Sequence, residues 1–555
     1  MDTVTHILAT AVDAFADRPA LRQHGDGPAY TYRQLGALAA AASRDLAAGG
    51  VAKGTPVALL CENRPEWATA YFAIHAVGAV CVPIDARLTA GEIRSILHRS
   101  RAPLLLVSKA LLPTAREAAG PRSPPAVATV ENLVAKADGR TGDASARDVG
   151  GPAGPEDVAV LSFTSGTTGA SKAIVLTHRN IASNVAAGVR RMNVSAEDRL
   201  VSILPLNHLF EQTGGLLVPL AVGASVTYPG SLNPRTLLEA MRAARATIVL
   251  TVPAMARLLR KRILSALETG ARWRRHLFGA SRGVSRVAER AGLPLGRLLF
   301  GRVHRAFGGH LRFFISGGAP LDPRLGRFFM DLGLPILEGY GLSETAPIVS
   351  CNTLAEHALG SVGKPLPGVE VRIGGAGGSG GGVGEVLVRG PNVMQGYFED
   401  ADATAEVLRD GWLATGDLGR LDRRGYLYIV GRLKDVIVGE SGKNVYPAEV
   451  EAVIGSCPHV RDACVLGLAR EDALARTEEV VAVVVANEEA FGPGDTGAQA
   501  DILRREIREA CAALADYKRP RLLAVWPGDL PRTTTLKVRK HEVRRRLGSV
   551  ALVPI

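Results

Sequence analysis

The sequence predicts an α/β protein with a large first domain and a smaller second one, and three observations carry that prediction. Short apolar runs alternate with helix-patterned stretches through residues 1–150, the rhythm of buried parallel strands joined by helices. Two further apolar runs, Val158–Leu161 and Ala173–Leu176, flank a Gly/Thr/Ser-rich loop, so two strands meet at a polar turn. Glycines also fall just past predicted strands in Ile315–Leu321 and Leu337–Val349, where open α/β sheets bind ligands. At 555 residues the chain is too long for one ordinary core and predicts three or four structural units. Its 47% hydrophobic and 22% charged residues exclude a disordered chain.

Taken in order, MDTVTHILATAVDAF reads as a short amphipathic helix, with Asp2 where a secretory signal would be basic. Thr31 and Gln34 form a capping box that opens the next helix. Val57–Leu60 and Val80–Ile84 read as buried parallel strands with a helix over Pro65–Val77 between them. Residues 136–156, polar and rich in Gly, Ala and Pro, read as a connector. FTSGTTGASK follows, Phe163 to Lys172. Gly166 and Gly169 lack Cβ atoms and can turn successive N–H groups toward one anion, while Thr164, Ser165, Thr167 and Thr168 add hydroxyl donors and Lys172 a cation. The loop is not a Walker A motif, because the Gly-Lys-Ser/Thr spacing fails and it enters a strand instead of a helix. An ordinary polar hairpin loop would favour some of the same residues.

A helix is predicted from Asn180 to about Met192. LPLNHLFEQTGGLLVPL then places His208 between a Pro-containing turn and an apolar segment, a position that a packed histidine could equally fill. Leu258, Leu259, Ile263 and Leu267 recur at helical spacing inside a basic segment. In LEGYGLSETAPIV, Glu344 offers a hard oxygen ligand near Tyr340, whose ring could carry a purine. Gly374–Gly384 is low-complexity and reads as a hairpin tip. Asp417 is read in a turn after Gly416, able to accept from a pair of ribose hydroxyls, and Arg432 after the strand Tyr426–Val430, able to reach phosphate or ribose. A second domain begins at the polar junction Leu433–Asp435. It is predicted to hold a helix opening at Pro447, a strand Glu479–Ala486, a helix within Ala498–Ala513 and a strand Leu522–Trp526, with Lys537 in a Thr-rich extended tail.

The net charge of +12 is concentrated. Between Arg257 and Arg312 fourteen Lys or Arg stand against Glu268 and Glu289, a patch that should attract anions. Amphipathic helices with solvated Arg faces would give the same composition. Six dispersed cysteines without a Cys-x-x-Cys pair argue for reduced, buried thiols and against a zinc site. No apolar run approaches the roughly 18 residues that span a bilayer, so the expected location is cytoplasmic.

FTSGTTGASK, YGLSET, TGDLG, GRLKDVIVGESGKNVYPAEVE and LPRTTTLK stand in the order and spacing of the adenylate-forming superfamily of acyl-CoA synthetases, luciferases and peptide-synthetase adenylation domains, which the chain resembles over nearly its whole length. PLNHLFEQTGG and the Arg-rich segment ending in FFISGGAPL most resemble bacterial long-chain fatty acid–CoA ligases. The resemblance implies a large N-terminal AMP-binding domain of mixed sheets packed with helices, residues 1–432, and a smaller mobile α+β domain, residues 433–555, joined by a hinge at Lys434. It assigns Thr164, Ser165, Gly166, Thr167, Thr168, Gly169 and Lys172 to the phosphates of ATP, and Glu344 with Thr164 to Mg2+. Gly318 and Tyr340 fall to the adenine neighbourhood, Gly341 and Thr345 to the nucleotide site, Asp417 to the ribose hydroxyls and Arg432 to ribose or phosphate. Lys537 becomes the cation of adenylation, His208 sits between the acyl and nucleotide sites, and Gly442 lines the path of CoA. Ala173 and Leu536 replace glycines usual in the family; the second departure bears on the backbone beside Lys537.

The implied reaction is attack of a fatty carboxylate on the α-phosphate of ATP, then transfer of the acyl group from AMP to a thiol. Positioned cations and N–H donors stabilise the charge that builds on phosphate oxygens. The acceptor is read as CoA, with a carrier-protein pantetheine, or an aryl acid in place of the fatty acid, as alternatives. A non-catalytic nucleotide sensor is disfavoured by the presence of both Lys537 and Glu344. Nucleic-acid binding is not expected, because aliphatic helices interrupt the basic patch. That patch is read instead as a peripheral contact with anionic membrane, or with the phosphates of CoA.

Overall fold

A computed structural model describes the chain apart from residues 121–124, 141–148, 165–171, 269–271, 376–381, 440–442, 470–477, 492–495 and 533–537. It divides into two compact units, Met1–Val371 with Val388–Leu413, and Arg372–Leu387 with Ala414–Ile555.

Two mixed sheets build the first unit. A seven-stranded sheet runs in the order Gly396–Tyr397, Lys172–Thr177, Val158–Thr164, Val80–Ile84, Pro56–Leu60, Leu104–Val107, Ala126–Thr129. Its last five strands are parallel, as their near-continuous apolar character requires, and its first two are antiparallel additions. Both predicted strands are present and paired: Val158–Thr164 pairs with Lys172–Thr177 up to the last pair, Thr164 opposite Lys172. The helix Pro65–Ala76 connects the two predicted parallel strands, and the capping box of Thr31 and Gln34 opens the helix Tyr32–Ala48.

The nine-stranded sheet collects Pro19–Gln23, Arg199–Val201, Ser225–Tyr228, Ile248–Thr251, Phe313–Ser316 and Ile336–Gly341 as parallel neighbours. Its core is the aromatic and aliphatic cluster of Phe300, Phe307, Phe314, Phe328 and Phe329. Helices Pro253–Glu268 and Arg272–Arg290 occupy the basic segment, with Leu259 and Ile263 packed on this core while Leu258 is exposed.

The second unit has a sheet in the order Val460–Ala469, Glu478–Ala486, Leu522–Val525, Leu552–Pro554. Helices Pro447–Ile454 and Thr496–Cys511 contribute Val450, Ile454, Leu503 and Ile507 to its core.

Three local expectations need correction. The helix Val130–Asp138 takes the first three residues of the expected connector, because Thr129 caps it through the N–H of Asn132. Asp417 is not in a turn: it lies inside the strand Trp412–Leu421, where Gly416 at φ +68° bends the chain without ending the pairing. The strand expected to end before the glycines of LEGYG runs through Gly341, held by antiparallel pairing with Ile348–Cys351. A Cβ at Gly341 would meet the Pro347 carbonyl oxygen at 1.7 Å, so only glycine allows that approach. The hairpin tip at Gly374–Gly384 falls largely on residues 376–381, outside the described residues. All six cysteines are free thiols and buried, as expected.

Candidate active site

The carboxyl ends of the parallel strands hold the segment that carries His208. Asn63, just beyond the strand Pro56–Leu60, donates through Nδ2 to the Leu204 carbonyl at 2.5 Å and accepts the Leu206 N–H at 2.8 Å. Asp85, the residue after Ile84, lies 3.5 Å from His208 Nε2 and is only 5% exposed. Burial opposes its ionisation, but hydrogen bonds from His208 and Arg87 outweigh that and hold the carboxyl well below the usual range. His208 is thus oriented by a buried anion. Three residues on, Glu211 is fully buried at the start of a π-helical stretch, Glu211–Leu217; burial pushes it up to about 8, only partly offset by Ser202.

The second cluster forms at Lys172, the first residue of its strand. Tyr397 pairs with Ile174 on the strand beside Lys172, and Lys172 Nζ sits 4.6 Å from the centre of its ring. The Tyr397 hydroxyl donates to Glu344 Oε1 at 3.1 Å. Burial, and then the charge of Glu344, push the phenol far above its ordinary range, so it stays a donor. Glu344 sits in the one-turn helix Ser343–Thr345, and its carbonyl accepts the Met394 N–H at 2.8 Å. Thr345, fully buried, is used internally: its hydroxyl engages Leu342 and Pro347. Tyr340 is half-buried on the strand Ile336–Gly341, and Gly318, at φ +80°, lies two residues past Ser316 at the end of its own strand. Glu338 is buried on the Tyr340 strand, and burial raises it to about 8.

In the second unit Asp417 and Arg432 face each other across an antiparallel pair, and Arg432 Nε donates to Asp417 Oδ1 at 2.7 Å. The two residues assigned separately to ribose and phosphate thus form one ion pair, with Asp417 buried and Arg432 exposed. The loop before Asp417 is fixed by Gly416 N–H donating to Glu385 and by Thr415 Oγ1 donating to the Val386 carbonyl. Lys434 is exposed in the short turn Leu433–Asp435. Lys540 Nζ lies 2.9 Å from Glu451 and 3.9 Å from Asp435. Burial works against its charge, but those carboxylates prevail and raise its pKa. Arg532 pairs with Asp462, and a β-bridge joins Arg532 to Val538.

Ser165, Gly166, Thr167, Thr168, Gly169, Gly442 and Lys537 lie outside the described residues, as does the side chain of Thr164. Sequence reasoning missed Tyr397, Asp85, Asn63 and Lys540. Asp85 had a usable signal, a carboxylate directly after a buried parallel strand. Tyr397 had none, since only strand pairing brings it to Lys172.

Among the described residues no three His, Cys, Asp or Glu side chains gather to hold a metal ion unaided. A magnesium ion at Glu344 would take its remaining oxygens from phosphates and water, the ordinary way this ion is bound, and the single carboxylate fits that requirement.

A lysine, a phenol and a carboxylate beside a Gly/Thr/Ser loop between two strands define an α/β protein built to take a phosphorylated ligand. The chain belongs to the AMP-binding enzyme family: residues 8–398 match the AMP-binding enzyme and residues 449–537 the AMP-binding enzyme C-terminal domain. Similar proteins include a feruloyl-CoA synthase of Amycolatopsis, 33% identical over 95% of both chains. The long-chain-fatty-acid–CoA ligase FadD15 of Mycobacterium bovis is 31% identical over 92% of this chain and 89% of that one. The ATP-bound crystal structure of MatB from Rhodopseudomonas palustris superposes with TM-score 0.77 at 27% identity, covering 98% of this chain and 99% of that one.

Proposed function

We propose that the protein joins a carboxylic acid to the α-phosphate of ATP, releasing pyrophosphate, and then passes the acyl group of the acyl-AMP to the thiol of CoA, releasing AMP. The observation that carries this reading is the array Lys172–Tyr397–Glu344 at the start of the strand Lys172–Thr177. Lys172 puts positive charge where the phosphates lie, and Tyr397 fixes the Glu344 carboxylate. Glu344 and Thr164 would hold magnesium, which would supply charge neutralisation of the phosphates. Tyr340 and Gly318 receive the adenine, Gly341 and Thr345 belong to the nucleotide site, and the Asp417–Arg432 pair presents a preoriented carboxylate to the ribose. His208, aimed by Asp85, stands between the acid and the nucleotide. Lys537 neutralises the α-phosphate during adenylation, then leaves by rotation about Lys434 so that a thiol entering past Gly442 can attack. Residues 1–432 act as the nucleotide- and acid-binding domain and residues 433–555 as the moving one.

The acid is a medium- or long-chain fatty acid. Support comes from the FadD15 relative and from the PLNHLFEQTGG segment. The feruloyl-CoA synthase relative favours a second reading, an aryl acid. Purified protein given MgATP, CoA and either palmitate or ferulate separates the two. Palmitoyl-CoA formed at the higher kcat/KM supports the first reading, and preference for ferulate overturns it. Thioester formed only on an acyl carrier protein would replace the acceptor. The proposed setting is the cytoplasm, at the inner face of the membrane.

A further inference from the structure

We propose that the outward face of the helix Arg272–Arg290 docks the protein on an anionic lipid surface. The rotation of this helix is fixed by what it buries. Phe278 lies 5.1 Å, ring to ring, from Phe300, Ser285 is 4% exposed, and Arg282 and Arg286 both reach the buried Asp331, at 2.9 and 2.6 Å. Trp273, Leu277, Val284 and Val287 recur at the helical repeat on the opposite side. They are 60, 55, 53 and 66% exposed. An amphipathic helix ordinarily turns polar residues to water, and here a second apolar stripe takes their place. Leu293, Leu298 and Leu299 extend exposed apolar surface beyond the helix. Continuous exposed apolar surface on a folded chain marks an interaction site.

Charge selects the partner. Part of the basic excess is neutralised inside the fold, because Arg282, Arg286 and Arg312 pair with buried aspartates. Arg275, Arg290 and Arg297 remain exposed on the same segment. A second copy would set this basic patch against itself. Nucleic acid would use the arginines and leave the aliphatic stripe in water. A surface with anionic headgroups above acyl chains satisfies both features, with Trp273 suited to the boundary between them. This inference is independent of the chemistry proposed for the site, although it would bring the enzyme to where an apolar acid is dissolved.

The test is co-sedimentation of the full chain with vesicles of phosphatidylglycerol and phosphatidylcholine, against phosphatidylcholine alone. Binding should require the anionic lipid and weaken with salt. The triple change Leu277→Ser, Val284→Ser, Val287→Ser, at exposed positions, should weaken binding at least about ten-fold with unchanged thermal unfolding. Lipids brominated in the acyl chain should quench Trp273, and Trp273→Phe should remove most of that quenching, since Trp67 and Trp526 are buried and Trp412 is part-buried with its ring covered by Arg389. Parent protein left in the supernatant, a triple variant that pellets like the parent, or absent quenching would each overturn the proposal. So would a parent dimer that the triple variant dissolves, which would make a second copy the occupant. Thioester formation with a water-soluble acid should be unchanged by the triple variant, so failure of the docking surface and failure of the ligase reading are distinguishable.

Discussion

The polar clusters of the two units are made in opposite ways. In the first unit Lys172, Glu344 and Tyr397 come from three distant stretches and meet only because the strand Gly396–Tyr397 adds to the edge of Lys172–Thr177. In the second unit Asp417 and Arg432 meet across neighbouring strands of one hairpin, fifteen residues apart. A long-range array depends on the whole sheet, whereas a hairpin pair depends on local register. Mutations should therefore uncouple chemistry from stability differently in the two places.

The largest effect expected is from Lys537→Ala, which should slow pyrophosphate release with the preferred acid roughly 10²- to 10³-fold, as removal of one preorganised donor does. It should leave thermal unfolding of the first unit unchanged; parental adenylation would break the assignment. Asp417→Ala removes the buried partner of Arg432 and should weaken ATP binding by about ten- to a hundred-fold, read by calorimetric titration. An unchanged dissociation constant would mean that the pair serves the hairpin alone.

Acid should sharpen the comparison from the side of stability. His75 and His178 are buried beside each other in the first unit, rings 5.2 Å apart, and His178 Nδ1 accepts the Val4 N–H at 3.2 Å, which demands a neutral ring. Burial lowers both, His178 to about 4. The unfolded chain binds protons near pH 6.5 and the native one does not. The stability is therefore present above 6.5 and is lost as pH falls toward 4, by up to roughly 3 kcal/mol for His178 alone. Denaturant unfolding across that window should show the slope, and His178→Gln should flatten it. The smallest effect expected is from Tyr397→Phe, which keeps the ring on Lys172 but removes the hydroxyl from Glu344. A loss of about ten-fold in kcat/KM, matching one hydrogen bond to a charged group, should follow. No loss would leave Tyr397 a packing residue.

Periodicity and caps made much of the secondary structure legible. The capping box at Thr31, the strands Val57–Leu60 and Val80–Ile84, the first-turn Pro447 and the strand near Glu479–Ala486 are local events, set by few residues and their neighbours. The same holds for the paired strands Val158–Thr164 and Lys172–Thr177. The ten-residue strand Val460–Ala469 was not legible, because Arg461, Asp462 and Gly467 interrupt its pattern and its pairing with Glu478–Ala486 supplies what propensity does not.

By itself the sequence determined the α/β class, the family motifs and the position of the loop, since each is written in contiguous residues. The tertiary structure alone decided that Tyr397 bridges Lys172 and Glu344, that Asp85 orients His208, and that one helix turns an apolar stripe to water. Those are contacts and exposures between segments far apart in the chain, and side-chain partners there are chosen by sheet order and packing, which no local pattern encodes.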